Sequence, residues 1–306
     1  NPRRKPPRRK KERRFPTRKL MSSSPRPVLF LPGWYPRPED PQDGVFVRKH
    51  ALAVSRYRPV IVLFPLPAGA GEVPERSSTG NLTEYFPRWR PSRLPLLGRW
   101  ISLWRYLRAT GRALRQIRRE RPPELAHVHV LHRNGLFALW LHLTRGLPYL
   151  ITEHWTGYLT GVYHRMPRLR RWMFRQIARR AQLITVVSPS LAAAMQAAGL
   201  RNEYQIVPNV VESRPPEQAY PLPGEAGRVR LLNVSDFYDH KKNVSGLLRA
   251  VAALAAEGRE LELHLVGDGP DRPALEELAE GLPALKDRLF FYGRLPNETV
   301  LQLMAA

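Results

Sequence analysis

The stretch Leu183-Ile-Thr-Val-Val-Ser-Pro-Ser-Leu-Ala-Ala-Ala-Met-Gln-Ala-Ala-Gly199 reads as strand, turn and helix in succession. The β-rich run Leu183 to Val187 leads to Ser188, whose hydroxyl can accept a helix N–H, and to Pro189 at the first helical position. Ser190 to Ala198 is then helical, and Gly199 stops it. Working outward, short apolar runs of the same kind stand at Val28 to Leu31, Val60 to Phe64, Leu125 to Val130 and Tyr149 to Thr152, with helical segments between them. Beyond Gly199 the rhythm lapses over the Pro/Glu/Gly-rich stretch Glu212 to Gly227. It restarts with Val229 to Val234, Leu261 to Val266 and Leu289 to Tyr292. The alternation predicts βαβ units and parallel sheets, so the fold class is α/β. It divides the chain into a basic tail (1–26), a first domain (27–211), a linker (212–227) and a second domain (228–306). Three strands make an incomplete second sheet, expected to continue past Ala306. Between Asn243 and Gly258, Val244, Leu247, Leu248, Val251 and Leu254 share one helical face, with Asn243 as the cap.

With 43% hydrophobic and 25% charged residues, the 306-residue chain can bury two cores. The absence of cysteine excludes disulfides and thiolate metal sites and fits a reducing compartment. The longest apolar stretch, Gly135 to Leu143, is interrupted by His142 and falls short of the roughly 18 residues that span a bilayer. The expected location is the cytoplasm, and the Asn-x-Ser/Thr triplets at Asn81, Asn233, Asn243 and Asn297 are expected to stay unglycosylated. The formal charge of +24 is largely local: residues 1–20 hold eleven Lys/Arg and one Glu, a net +10, and leave +14 for the rest. The tail is either a polyanion-binding arm or a solvated extension ahead of a natural start at Met21.

Several segments together resemble the retaining GT-B glycosyltransferases of the glycosyltransferase 4 group. In the first domain these are Leu31-Pro-Gly-Trp-Tyr-Pro36 with Asp43-Gly-Val-Phe-Val-Arg-Lys-His50, Ile151-Thr-Glu-His-Trp155, Val187-Ser-Pro-Ser190 and Val207-Pro-Asn-Val210. In the second they are Lys241-Lys-Asn-Val-Ser-Gly-Leu-Leu248, Leu265-Val-Gly-Asp-Gly-Pro270 and Phe291-Tyr-Gly-Arg294. The resemblance implies two Rossmann-like doubly wound domains, the first for the acceptor and the second for a nucleotide-sugar, with no cofactor and no metal. It implies that His154 lies against the transferred sugar; a buried structural histidine is the alternative. Gly44, after the first strand and before a helix over Phe46 to Val54, corresponds to a glycine loop through which helix N–H groups approach a phosphate or hydroxyl, though Asp43-Gly44 also fits an ordinary turn.

A retaining transfer breaks the bond from the anomeric carbon to phosphate through an oxocarbenium-like state, so cations must meet the departing diphosphate. The resemblance gives that role to Lys242, with Lys241, beside the positive end of the following helix. Gly267 and Gly269 resemble a turn near the nucleotide, and Arg294 the segment that meets the base; both also read as plain turns. Where related chains carry an Arg after a Gly, this one reads Val234-Ser-Asp-Phe237. The family's paired glutamates fall beyond Ala306, and the chain as it stands is expected to be an inactive fragment. His127 and His129, two apart on one strand, are expected to be core imidazoles with satisfied nitrogens.

Two segments, Trp100 to Arg121 and Arg165 to Arg180, mix arginines with Trp104, Tyr106, Leu107, Leu114, Ile117 and with Trp172, Met173, Phe174. Such basic amphipathic faces suit either solvent or an anionic membrane surface, the latter fitting a lipid-linked acceptor in envelope polysaccharide synthesis at the inner face of the cell membrane. The rival class, a nucleic-acid binder, is favoured by charge alone, since no zinc-finger spacing or RNA-recognition signature accompanies the arginines.

Overall fold

The computed structural model describes residues 25–71, 74–95, 97–210, 220, 223–224 and 227–305. The basic tail up to residue 24 and most of the 212–227 linker lie outside the described residues. The chain divides into two compact units, Asn1–Val211 and Glu212–Ala306.

The first unit is built on β1 (Val28–Pro32), β2 (Val60–Leu63), β3 (Leu66–Pro67), β4 (Arg76–Thr79), β5 (Leu82–Tyr85), β6 (Arg88–Trp89), β7 (Leu125–His129), β8 (Tyr149–Glu153), β9 (Ile184–Val186) and β10 (Tyr204–Ile206). Its helices are α1 (Val45–Ser55), α2 (Gly98–Glu120), α3 (Asn134–Arg145), α4 (Val162–Arg165), α5 (Arg168–Arg180) and α6 (Pro189–Ala197). Among the described residues, eight strands form one sheet in the order β10-β9-β8-β7-β1-β2-β5-β4, and β3 pairs with β6. All eight run parallel except β4, which lies antiparallel on β5 at the edge.

Strand β1 explains the layering. It is buried at every position because helices cover both faces of the sheet. Leu29 and Leu31 face a core shared with α2, α3, α5 and α6, while Val28 and Phe30 face Val47 and Ala51 of α1. The chain leaves β1 toward β2 on one side and returns to β7 on the other, so the switch point of the sheet lies between β1 and β7. In such sheets ligands bind beyond the carboxyl ends of the strands at this point.

Local chemistry accounts for the helix ends. The Ser188 side chain accepts the Leu191 N–H at 3.2 Å and Pro189 opens α6. Gly199 follows the last turn at φ 84°. The segment read as helical from Arg165 to Arg180 is broken at Met166-Pro167, because a residue before proline is pushed out of the helical region: Met166 is extended at ψ 150°. In the other Arg-rich helix, α2, Leu114 and Ile117 are buried against the sheet, whereas Trp104 and Leu107 are exposed.

The second unit has β11 (Val229–Val234), β12 (Leu261–Val266) and β13 (Leu289–Gly293), a parallel sheet in that order, with α7 (Asp239–Lys242), α8 (Val244–Ala256), α9 (Arg272–Glu280) and α10 (Asn297–Met304). Val244, Leu248 and Val251 of α8 are buried as expected, but Leu254 is 40% exposed. Asn243 occupies the cap position without capping: it stands in the left-handed region at φ 53° and makes no side-chain cap bond. That task falls to Asp239, whose Oδ1 accepts the Ser245 N–H at 2.7 Å.

Candidate functional site

In the first unit the loops after β1, β7 and β8 meet at the carboxyl edge. Two buried side chains tie them together. Asn134 donates its amide to the carbonyls of Leu31 (2.6 Å), His129 (3.1 Å) and Val130 (3.1 Å), and its Oδ1 accepts from His132 and Gly135 N–H. It holds Val130 in the left-handed region, φ 58°, a conformation that costs a β-branched residue about 1–3 kcal/mol. Glu153, fully buried, accepts the N–H groups of His154 and Trp155 at 2.9 Å each on Oε1 and that of Leu131 at 3.0 Å on Oε2. Burial pushes its carboxyl up to about 7, against the three N–H groups that favour the anion. Sequence reading singled out neither residue, since an isolated Asn or Glu carries no pattern.

Glu153 ends β8, and its bonds to the next two N–H groups fix where His154 begins. The His154 ring lies 4.4 Å from Phe46, 5.6 Å from His50 and 5.8 Å from His129, centroid to centroid. His129 in turn stacks on Phe30 and lies 4.0 Å from His127. Burial lowers the pKa of all four imidazoles, His127 to about 3 and His154 to about 4. Asn209 stands near enough to His50 and His154 to oppose this, but closes no hydrogen bond with His154. The cluster is therefore neutral at ordinary pH. His127 bonds Thr152 Oγ1 at 2.6 Å, and Thr152 bonds Thr185 Oγ1 at 2.5 Å. His129 departs from the expectation of satisfied imidazoles: it is fully buried, and neither ring nitrogen has a partner among the described residues. Among the described residues no group of three or more His, Asp or Glu is arranged to hold a metal ion.

Gly44 precedes α1 at φ 66°, and a Cβ there would meet the backbone of Trp34 and Tyr35 at 2.4–2.6 Å. A side chain at this position would collide with the neighbouring loop, so the turn into α1 requires glycine. On the other side of the edge a cavity of about 170 Å3 opens among Gly33, Phe64, Tyr106, His132, Arg133 and Asn134.

In the second unit Lys241, Lys242, Gly267, Gly269 and Arg294 all follow the carboxyl ends of the three strands. Backbone bonds knit their loops: Ser235 N–H to Val266 O, Phe237 N–H to Asp268 O and Gly267 N–H to Gly293 O. Gly267 and Gly269 are needed for this packing, since a Cβ would meet Ser235 O at 1.8 Å or Phe237 O at 2.5 Å. Phe237 is fully buried in the Val234-Ser-Asp-Phe237 stretch, filling the floor of the edge. Lys241 lies 4.9 Å over the Tyr238 ring. Lys242 and Arg294 are exposed, with no partner among the described residues. The positive end of α8, expected to face a diphosphate, is occupied by the Asp239 carboxylate, which the Ser245 N–H and hydroxyl hold below the usual carboxylate range.

Residues 49–214 match the family Glycosyltransferase Family 4, and residues 228–306 match Glycosyl transferases group 1. A 2-deoxystreptamine glucosyltransferase of Streptomyces kanamyceticus is 29% identical over 220 residues, 62% of this chain and 54% of that one. The lipopolysaccharide core biosynthesis glycosyltransferase LpsD of Rhizobium meliloti is 32% identical over 118 residues, 38% and 33% of the two chains. The chain thus spans about half the length of the first curated relative and a third of the second. Among solved structures, the lipopolysaccharide outer core galactosyltransferase WaaB covers 88% of this chain and 68% of its own at TM-score 0.56 and 14% identity. A trehalose-6-phosphate structure from E. coli, bound with UDP-2-fluoro glucose, covers 91% and 76% at TM-score 0.62 and 11% identity. The shared fold is that of GT-B glycosyltransferases, with Rossmann-like units.

Proposed function

This chain belongs to glycosyltransferase family 4, and from that membership we propose that it transfers a sugar, with retention at the anomeric carbon, from a nucleotide-sugar donor to a saccharide or lipid-linked saccharide acceptor. Neither family match supports the nucleic-acid reading, which charge alone had raised. The observation that carries the donor half is a pair of exposed cations, Lys242 and Arg294, at one sheet edge, neither with a partner among the described residues. As the bond between the anomeric carbon and phosphate breaks, the diphosphate leaves with its charge and Lys242 neutralises it, with Lys241 completing the basic rim; Arg294 meets the nucleotide beside the Gly267-Asp-Gly269 turn. In the first unit His154 lies against the transferred sugar. Its neutral ring can accept or donate a hydrogen bond to a hydroxyl without adding a charge that would repel the oxocarbenium-like carbon. Gly44 shapes the loop over the start of α1. The acceptor glycan enters at the cavity beside Gly33 and Asn134.

The relative LpsD, named for lipopolysaccharide core biosynthesis, supports an envelope glycan as acceptor, and a lipid-linked form of it brings the chain to the inner face of the cell membrane. Among the described residues no helix is long and apolar enough to cross a membrane. No cofactor or metal has a part in this reading.

Titration calorimetry with UDP and GDP tests the donor half. A nucleoside diphosphate binds, and Lys242→Ala weakens it roughly tenfold or more, as loss of a charge-assisted contact does. Binding untouched by Lys242→Ala removes that residue from the donor site, and no binding of either nucleotide removes the donor reading.

A further inference from the structure

Helix α2 has two unlike ends. Its C-terminal half buries Ala113, Leu114 and Ile117 against the sheet. Its N-terminal half leaves a row of large apolar side chains in the open: Leu97, Trp100, Trp104 and Leu107 are 63%, 59%, 56% and 41% exposed. Their spacing of three, four and three puts them on one face. Leu94, just ahead of the helix, is exposed too. A contiguous apolar row of this kind on a protein surface marks something that covers it.

The charge around the row says what that is. From Gly98 to Arg119 the helix carries seven arginines and no acidic residue. The guanidinium of Arg99 lies 5.4 Å over the Trp100 ring and that of Arg108 lies 5.2 Å over the Trp104 ring. Tryptophans covered by their own arginines, in line with leucines, suit the boundary of a bilayer, where the rings enter the headgroup layer and the guanidiniums reach lipid phosphates. They suit base stacking less well, because one face of each ring already holds a guanidinium. Helix α5, the other Arg-rich segment, exposes only Leu169 and Trp172 in this manner, a shorter row.

We infer that the N-terminal half of α2 is an interfacial anchor that seats the first unit on an anionic bilayer through Leu97, Trp100, Trp104 and Leu107. The inference rests on the membrane part of the reading above but not on sugar transfer, and it is tested without donor or acceptor. The full chain is floated with vesicles of phosphatidylcholine alone and of three parts phosphatidylcholine to one part phosphatidylglycerol. It binds the anionic vesicles and leaves the neutral ones. Trp100→Ala with Trp104→Ala weakens that binding at least about tenfold. Arg108→Gln with Arg112→Gln and Arg115→Gln weakens it roughly a hundredfold. Trp172→Ala on α5 leaves it unchanged. All these chains share residues 1–20, so a difference among them belongs to the helix and not to the tail, and unchanged circular dichroism shows each to be folded. Equal binding to both vesicles, or a tryptophan pair that binds like the parent, overturns the inference while leaving the donor titration untouched.

Discussion

Glu153 and the four imidazoles near it titrate against each other, and the balance gives the carboxyl edge a pH signature. His154 is lowered from 6.5 to about 4 and His127 to about 3, with His50 and His129 lowered too. Unfolding returns each to its ordinary value, so between pH 4 and 6.5 the unfolded chain binds more protons and stability rises with pH. Glu153 has the opposite sign: raised from 4.5 to about 7, it binds its proton in the folded chain over that interval, and its contribution falls as pH rises. Four imidazoles outweigh one carboxyl. The thermal midpoint therefore climbs from pH 4.5 to 6.5 and flattens above, and a midpoint that is level or falling across that window contradicts the buried, neutral cluster. None of this was legible in sequence. His127 and His129 were visibly on one strand face, but that His129 is left without a partner depends on Phe30 and on His50 from α1, contacts no spacing announces.

At the scale of elements, the α8 entry offers a direct measurement. Asp239 caps the helix through Ser245 N–H, so Asp239→Ala costs the second unit about 1 kcal/mol, read from denaturant unfolding, whereas Asp239→Asn keeps an acceptor and loses only part of that. A cost equal to that of Asn243→Ala would return the cap to Asn243. Sequence reading chose Asn243 because it is the residue type expected immediately before an apolar helical run, and a cap reaching from four residues earlier through a one-turn helix leaves no local mark. Strands buried on both faces were the legible ones: Val28–Pro32, Val60–Leu63 and Leu261–Val266 are buried at every position, and only the last carries polar residues, Glu262 and His264. The edge strand Arg76–Thr79 and its neighbour Leu82–Tyr85 escaped notice, since Arg-Ser-Ser-Thr is exposed on the sheet rim and its pairing is set by β5 rather than by its own composition. Of the site, positions at strand ends were legible, and which cations stay unpaired was not: Lys241 is engaged by Tyr238, a neighbour whose ring orientation only the fold fixes.

For the whole molecule, charge and topology matter most. Residues 1–20 contribute +10 of the formal +24. Their deletion should flatten the salt dependence of binding to a nucleic acid or other soluble polyanion, the slope falling with the number of phosphates released. A slope that survives deletion assigns polyanion binding to the folded units instead. The sheet order carries a different consequence, one about time. Strand β1 pairs on one side with β2, Val28 opposite Val60, but on the other with β7, Val28 opposite Leu125. During synthesis β1, buried at every position in the finished unit, emerges ahead of both partners and waits, one edge open, until nearly a hundred further residues have left the ribosome, and the switch point does not exist before then. Such late, non-local closure is slow and leaves an edge open to other chains. The geometry that gathers His154, His129 and Asn134 at one edge is thus also the reason this unit depends on being kept from its neighbours while it is being made.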